Sequence, residues 1–305
     1  MPKESCSSLN TSSTSKPSAF HEFFSGFIAG SITSVVVHPF DLIKLRLQLN
    51  ATNGIQQSWI TIVRGLWKNQ NRFWLSTLYR GVTINALGNS IAWALYFGIY
   101  RSFKDQLISF TGGTSSVSLS WVYLASGTSA GITTSILTNP IWILKTRIMA
   151  QNKSLNGNVG YDNIISSIRK IKKDHGWGIW KIGIVPSILG VSQGAVYFMV
   201  YDSLKSYRFN KLNKQKLDTL EILSITSISK MISMSLVYPL QLLKSNQQSL
   251  NATNCKEYKY IRHLIPLIIR QNGVFGLYKG LFTNLLKSVP STCLTFYIYE
   301  TVNNL

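Results

Sequence analysis

Three stretches of the chain carry no charged side chain: Gly81–Tyr100, Gln106–Leu144 and Ile182–Tyr201. The first and third are 20 residues long, and about 20 apolar residues span the hydrocarbon core of a bilayer as a helix. These runs are not apolar throughout, since they hold Asn85, Asn89, Ser192, Gln193 and several glycines. Polar atoms at membrane depth face a bundle interior or a watery cavity. The pattern predicts six long helices, at about 20–49, 81–105, 118–150, 182–206, 219–248 and 281–303. Between the members of each pair lies a shorter amphipathic stretch. Ile164, Ile165, Ile168 and Ile171 recur at helical spacing while Arg169, Lys170, Lys172 and Lys173 fill the other side. Trp59, Ile62, Val63 and Leu66 do the same earlier, and Ile261, Leu264, Ile265 and Ile268 later. Helices of this kind lie in the membrane interface. The expected fold class is therefore an all-α membrane protein with six transmembrane helices and three surface helices.

The elements repeat. Pro39-Phe-Asp41-Leu-Ile-Lys44-Leu-Arg46, Pro140-Ile-Trp142-Ile-Leu-Lys145-Thr-Arg147 and Pro239-Leu-Gln241-Leu-Leu-Lys244-Ser-Asn246 match, with prolines 101 and 99 residues apart. Tyr100, Tyr201 and Tyr299 are 101 and 98 apart, and Gly81, Gly183 and Gly280 are 102 and 97 apart. Three marks in phase define pseudo-threefold repeats of about 100 residues, at 20–110, 111–210 and 211–305. Each proline falls inside a long helix, where it removes a backbone hydrogen bond and kinks the axis. Residues 1–19 differ, with seven Ser, two Thr, one Glu and no Arg. They read as a disordered tail, lacking both the apolar core of a signal peptide and the Arg-rich pattern of a transit peptide.

Composition narrows the class. The 305 residues are 45% hydrophobic but only 14% charged, against roughly 25% charged in soluble proteins. A disordered chain would be poorer in apolar residues, and the three cysteines, Cys6, Cys255 and Cys293, suggest no disulfide framework. The formal charge of +20 raises nucleic-acid binding as a rival, but most of the 31 Lys and Arg lie outside the six predicted long helices, as loop and surface charge would. No catalytic set appears. His21, His38, His175 and His263 are far apart, no Cys/His metal spacing exists, and His38 beside Pro39 reads as a helix-kink residue. An enzyme and a resident cofactor or metal are not expected.

A threefold unit of this length carrying Pro-x-[Asp/Glu]-x-x-[Lys/Arg]-x-[Lys/Arg] resembles the mitochondrial carrier family, over about residues 20–305. The sequence departs from the plain pattern at Trp142, Gln241 and Asn246. Pro-Ile-Trp at 140–142 with Tyr-Pro-x-Gln at 238–241 resembles the branch that carries FAD, folate, pyrimidine nucleotides and NAD. Asn89–Trp93, Gly190–Phe198 and Tyr238–Gln248 look most like its FAD-carrying members. The resemblance implies a multi-pass protein of the mitochondrial inner membrane, acting as a monomer with cardiolipin bound. It would move FAD, as cargo rather than prosthetic group, by alternating access through a central cavity. Folate, NAD or a pyrimidine nucleotide on the same fold, and a membrane interaction protein that no longer transports, are the alternatives.

The resemblance also implies roles. The signature charges would close the matrix side, each acid pairing with the base of the next repeat. Here one acid–base pair survives, Asp41 with Lys145, while Trp142 would face Lys244, Gln241 would face Lys44, and Gln48 would be the brace. Gln can hydrogen-bond Lys, and Trp offers its ring face at about 0.5–2 kcal/mol. The cytosolic gate would use Tyr201, Asp202 and Lys205, with the degraded counterparts Lys104 and Glu300. Arg80 and Gly81, Gly183, and Lys279 and Gly280 would bind cardiolipin phosphate at helix N-termini, which favour anions.

Two lysines fall within apolar helices. Lys230 occupies the phase held by Gly30 and Gly131 in the other repeats, and Lys287 lies in the last span. An intramembrane base is a functional candidate by default, and both would attract a pyrophosphate strongly in low dielectric. The family's other contact points map to Gly88 with Asn89 and to Leu189 with Gly190. Glycine there leaves room beside a bulky ring. Trp93, Tyr96 and Gln193 are candidates for stacking on that ring or bonding its edge.

Overall fold

The computed structural model describes residues 30–50, 59–68, 78–111, 116–150, 164–212, 219–249, 258 and 260–303. The tail at 1–19 and the expected start of the first helix lie outside them, as do the side chains of Leu66, His175, Tyr299 and Glu300. Among the described residues all regular structure is helical.

The six long helices stand close to their expected places. Helical residues 30–36 continue through a turn at Val37 into α1, His38–Asn50. There follow α2, Trp59–Lys68, and α3, Val82–Thr111. The second repeat holds α4, Ser116–Ala150, and α5, Ile164–His175. It closes with α6, Ile184–Gly190, and α7, Ser192–Leu212. The third holds α8, Thr219–Gln248, α9, Ile261–Asn272, and α10, Leu281–Asn303. Two expectations need correction. Helices α3 and α7 run on to Thr111 and Leu212 rather than stopping near 105 and 206, because neither Asp105–Thr111 nor Tyr207–Leu212 holds a Gly or Pro to break a helix. The single helix expected over 182–206 is stepped at Val191, where Val191 and Gly194 take up three-residue hydrogen bonds. By length and composition Val82–Phe110, Ile184–Arg208 and Glu221–Gln248 are apolar enough to cross a membrane.

Core packing concentrates at the motif ends of α1, α4 and α8. Leu42, Leu45 and Leu49 enclose Met149. Ile143, Leu144 and Ile148 pack on Ile84 and on Ile171 of surface helix α5. Tyr238, Leu242 and Leu243 pack on Leu264 and Ile268 of α9. Elsewhere the long helices turn large apolar side chains outward, among them Leu87, Ile91, Phe97, Leu124, Ile136, Val185, Phe198 and Leu236. Such faces suit lipid as their solvent.

Candidate substrate site and gate

The residue just before each signature proline pins its repeat together. His38 donates from Nε2 to the carbonyl of Arg80 at 3.1 Å. Asn139 donates to the carbonyls of Trp180 at 3.3 Å and Ile182 at 2.9 Å. Tyr238 donates from its hydroxyl to the carbonyl of Lys279 at 2.9 Å. Three different side chains thus play the same part, since each ties the proline-bearing helix to the turn that opens the next spanning helix. All three are fully buried, where an unpaired polar group would be costly. Their register, 101 and 99 residues apart, is a sequence signal that lies outside the charged motif.

At that turn Gly81, Gly183 and Gly280 adopt φ of +83°, +66° and +90°, a region that side chains with a Cβ rarely enter. Each glycine also admits the following repeat. A carbon on Gly81 would stand 3.0 Å from Met149, one on Gly183 3.0 Å from Gln248, and one on Gly280 3.4 Å from Leu47. The chain thus closes on itself as a cycle of three. The extra residue in the second repeat, Ile182, leaves the glycine in its place.

The motif side chains meet on the axis of this cycle. Lys44 donates to Gln241 at 3.1 Å and sits 5.7 Å from the Tyr238 ring. Lys244 lies 5.8 Å from the Trp142 ring, the partner expected for it. The expected ion pair of Asp41 with Lys145 is not formed. Asp41 pairs instead with Lys287 of α10 at 2.5 Å, and Lys145 lies 5.0 Å from the ring of its own repeat's Trp142. One indole, fixed by its bond from Nε1 to Thr138 at 3.0 Å, therefore faces two ammonium groups. The physical reason is competition: Lys287 reaches the carboxylate from the neighbouring helix, and a ring face is the remaining electron-rich surface for Lys145.

Below this level a buried polar layer holds the repeats together. Gln48 donates to the Tyr238 hydroxyl at 3.2 Å and accepts from Ser245 at 2.8 Å. Asn246, where the pattern has a base, donates to the backbone carbonyl of Gln48 at 3.0 Å. Gln248 donates to Asn139 at 3.0 Å and accepts from Thr146 at 3.4 Å.

The cavity candidates separate. Lys287 and Lys230 lie within electrostatic reach of each other. Gly190 has open space where a side chain would be, whereas Gly88 is buried with Ile141 of the second repeat 3.0 Å from its absent Cβ. Gly88 is thus a packing glycine and leaves no gap for a ring. Gln193 is engaged, accepting from Gln241 at 2.9 Å. Asn89 donates to Ser34 at 3.3 Å, beside Asn85 at 3.2 Å. Leu189 is half exposed. Trp93 is 60% exposed and stacks on Phe97 with centroids 5.5 Å apart, with Tyr96 edge-on at 6.0 Å. Tyr96 reaches across to Gly127, whose absent Cβ would be 3.5 Å from its hydroxyl. Gly131, one helical turn further, admits Val191, whose methyl would stand 2.7 Å from an added Cβ. The two small residues let neighbouring helices approach, as expected of such spacing.

At the opposite end Arg208 of α7 pairs with Glu221 of α8 at 3.4 Å, and among the described residues no buried polar layer joins the helices there. Lys205 lies over the ring of Tyr201 at 5.8 Å, and Lys104 over Tyr123 of the second repeat at 5.5 Å. Among the described residues Asp202 forms no ion pair and is exposed. The expected lipid residue Lys279 is tied down, donating to the Asn50 carbonyl at 3.4 Å and to Asn272 at 3.3 Å. Burial holds its ammonium below the usual lysine range.

A cycle of three helix pairs, joined by a buried polar layer at the proline motifs, defines a carrier-type membrane bundle. The Mitochondrial carrier protein family matches this chain over residues 15–111, 117–212 and 215–305, and the chain belongs to that family. It is 42% identical to the Mitochondrial FAD carrier protein FLX1 of Saccharomyces cerevisiae, over 93% of this chain and 96% of that protein. It is 32% identical to Nicotinamide adenine dinucleotide transporter 2, mitochondrial, of Arabidopsis thaliana, over 90% of this chain and 76% of that protein. Folate transporter 1, chloroplastic, of the same plant is 30% identical over 91% of this chain and 92% of its own length.

Proposed function

We propose that this protein moves FAD across the mitochondrial inner membrane by alternating access. The observation that carries the reading is the 42% identity to a mitochondrial FAD carrier over 93% of the chain. The geometry is in keeping with it. In this reading the motif end, taken as the matrix side, is the closed gate, supported by its buried polar layer. Lys230 and Lys287, the latter held by Asp41, are the bases proposed to meet the FAD pyrophosphate. Opening toward the matrix requires the Lys44–Gln241 bond, the Gln48 layer and the lysine–indole contacts to break while Tyr201, Asp202, Lys205, Lys104 and Glu300 draw together at the other end. The flavin or adenine ring would lie against Leu189 and Gly190, with Asn89, Trp93, Tyr96 and Gln193 as candidate contacts. Arg80, Gly81, Gly183, Lys279 and Gly280 remain the proposed cardiolipin sites, and the carrier is proposed to work as a monomer.

The test is uptake by reconstituted liposomes of labelled FAD, NAD, folate and pyrimidine nucleotides. FAD is expected to be taken up fastest. Preferred uptake of NAD, the cargo named for a 32% identical relative, would replace FAD in this reading. No uptake of any of them would favour a membrane protein that has lost transport.

A further inference from the structure

The first repeat carries a polar set that the other two lack. Ser34 lies in the helical segment leading into α1, and its hydroxyl accepts two bonds from α3. Nδ2 of Asn85 donates to it at 3.2 Å and Nδ2 of Asn89 at 3.3 Å. The two asparagines are one helical turn apart, so a single serine reaches both. At the register of Ser34, Asn85 and Asn89 the second repeat has Ser135, Ser187 and Val191, and the third has Met234, Asn284 and Ser288. Neither can build a serine that holds two amides. The prolines, the turn glycines and the buried residues before the prolines recur in all three repeats, so the threefold frame does not call for this set.

A carboxamide has a donor end and an acceptor end. With Nδ2 turned to Ser34, the Oδ1 of each asparagine lies on the side away from it, and among the described residues neither Oδ1 has a hydrogen-bond partner. Asn85 is buried, whereas Asn89 is only half-buried. Asn89 is also bracketed by two helices: Ser34 holds it on one side, and on the other Ile141 of α4 packs on the adjacent Gly88. It therefore lies on the face of α3 turned to the interior of the bundle.

We infer that Ser34 sets specificity by positioning Asn89: it fixes the amide so that the carbonyl is the group offered to cargo, and the site takes a planar ring by an edge that bears an N–H. FAD has two such edges, the imide N3–H of the flavin and the 6-amino group of the adenine. Without Ser34 the amide is free to turn over and offer either end, and the preference for an N–H is lost. The inference rests on the reading of the chain as an FAD carrier.

The experiment measures initial uptake into liposomes of FAD, of FAD methylated at flavin N3 and of FAD dimethylated at the adenine 6-amino group. Wild type is expected to take up at least one analogue about tenfold more slowly than FAD. Ser34→Ala is expected to shrink that ratio to about twofold, and the analogue whose ratio responds names the edge read at Asn89. Ser34→Thr, which keeps the hydroxyl, should retain the wild-type ratio. Asn89→Leu should abolish the preference, and adding Ser34→Ala to it should leave the ratio unmoved. Equal uptake of all three compounds by wild type would overturn the inference. So would Ser34→Ala slowing all three by one common factor, the mark of a helix tie with no part in recognition. Should Ser34→Ala not fold, Asn89→Leu decides, and a wild-type ratio there overturns the inference. A wild type that carries NAD but not FAD overturns the FAD reading alone, and the same variants are then judged with NAD and its 6-dimethylamino analogue. A wild type that carries neither overturns both.

Discussion

The seam between the first and second repeats and the seam between the third and the first are built from homologous positions but different chemistry. At the first seam Met149 sits among Leu42, Leu45 and Leu49, while Ile141 closes on Gly88. At the other seam the contacts are polar: Asp41 with Lys287, Lys44 with Gln241, and Gln48 with Tyr238, Ser245 and Asn246. Met149 and Gln48 occupy equivalent places, each nine residues after its proline. An apolar contact has no substitute partner that a ligand can offer. A charged or hydrogen-bonded contact can be exchanged for one to substrate. The comparison indicates that the pseudo-threefold frame is energetically lopsided, with a seam suited to permanence and a seam suited to release.

Substitutions can separate the two roles. The largest effect on stability is expected at the apolar seam. Met149→Ala should cost about 2–5 kcal/mol, read as a lower melting temperature in detergent, while the protein that remains folded transports with unchanged substrate preference. Lys287→Ala, at the polar seam, should do the reverse. Losing a charged hydrogen-bond partner for substrate costs about 1.5–3 kcal/mol, seen as loss of most FAD uptake even in the protein that remains folded after Asp41 loses its ion-pair partner. If both variants lose stability and uptake in proportion, the two seams do not differ in role.

Two smaller effects refine the picture at the indole. Trp142→Asp would give Lys145 and Lys244 a carboxylate in place of a ring face worth about 0.5–2 kcal/mol. A stronger motif-end lock should slow exchange, by about tenfold for each ~1.4 kcal/mol added, and an exchange rate equal to or above wild type would show that the indole is not part of the lock. Gln241→Ala removes one neutral acceptor from Lys44 and should cost about 0.5–1.5 kcal/mol. Its effect on uptake should fall below that of Asp41→Asn. The opposite ranking would place the critical contact at Lys44.

Much of this was legible in the chain. The long helices, the shorter amphipathic helices and the positions that meet at the motif level follow from hydrophobic period and from residues repeated every hundred positions. These are local or register properties, and a helix declares its face through spacing alone. Even the contacts of Lys44 with Gln241 and Lys244 with Trp142 came through, because threefold register fixes which positions face each other. The pinning trio His38, Asn139 and Tyr238 was equally in register. It stayed hidden because a motif defined by residue type does not show three unlike side chains in the same role.

The sequence by itself determined the period, the helices and the set of charges available at the motif level. Only the tertiary structure decided how those charges are shared. Asp41 has several lysines within electrostatic reach, and which of them it holds depends on side-chain length and helix approach at a scale of about an ångström. Gly88 makes the same point, since glycine in a helix reads alike whether it opens space for a ligand or, as here, admits Ile141 of a neighbour. Pairing among several possible partners is a three-dimensional competition. Its outcome is set by packing distances, which the linear order of residues does not contain.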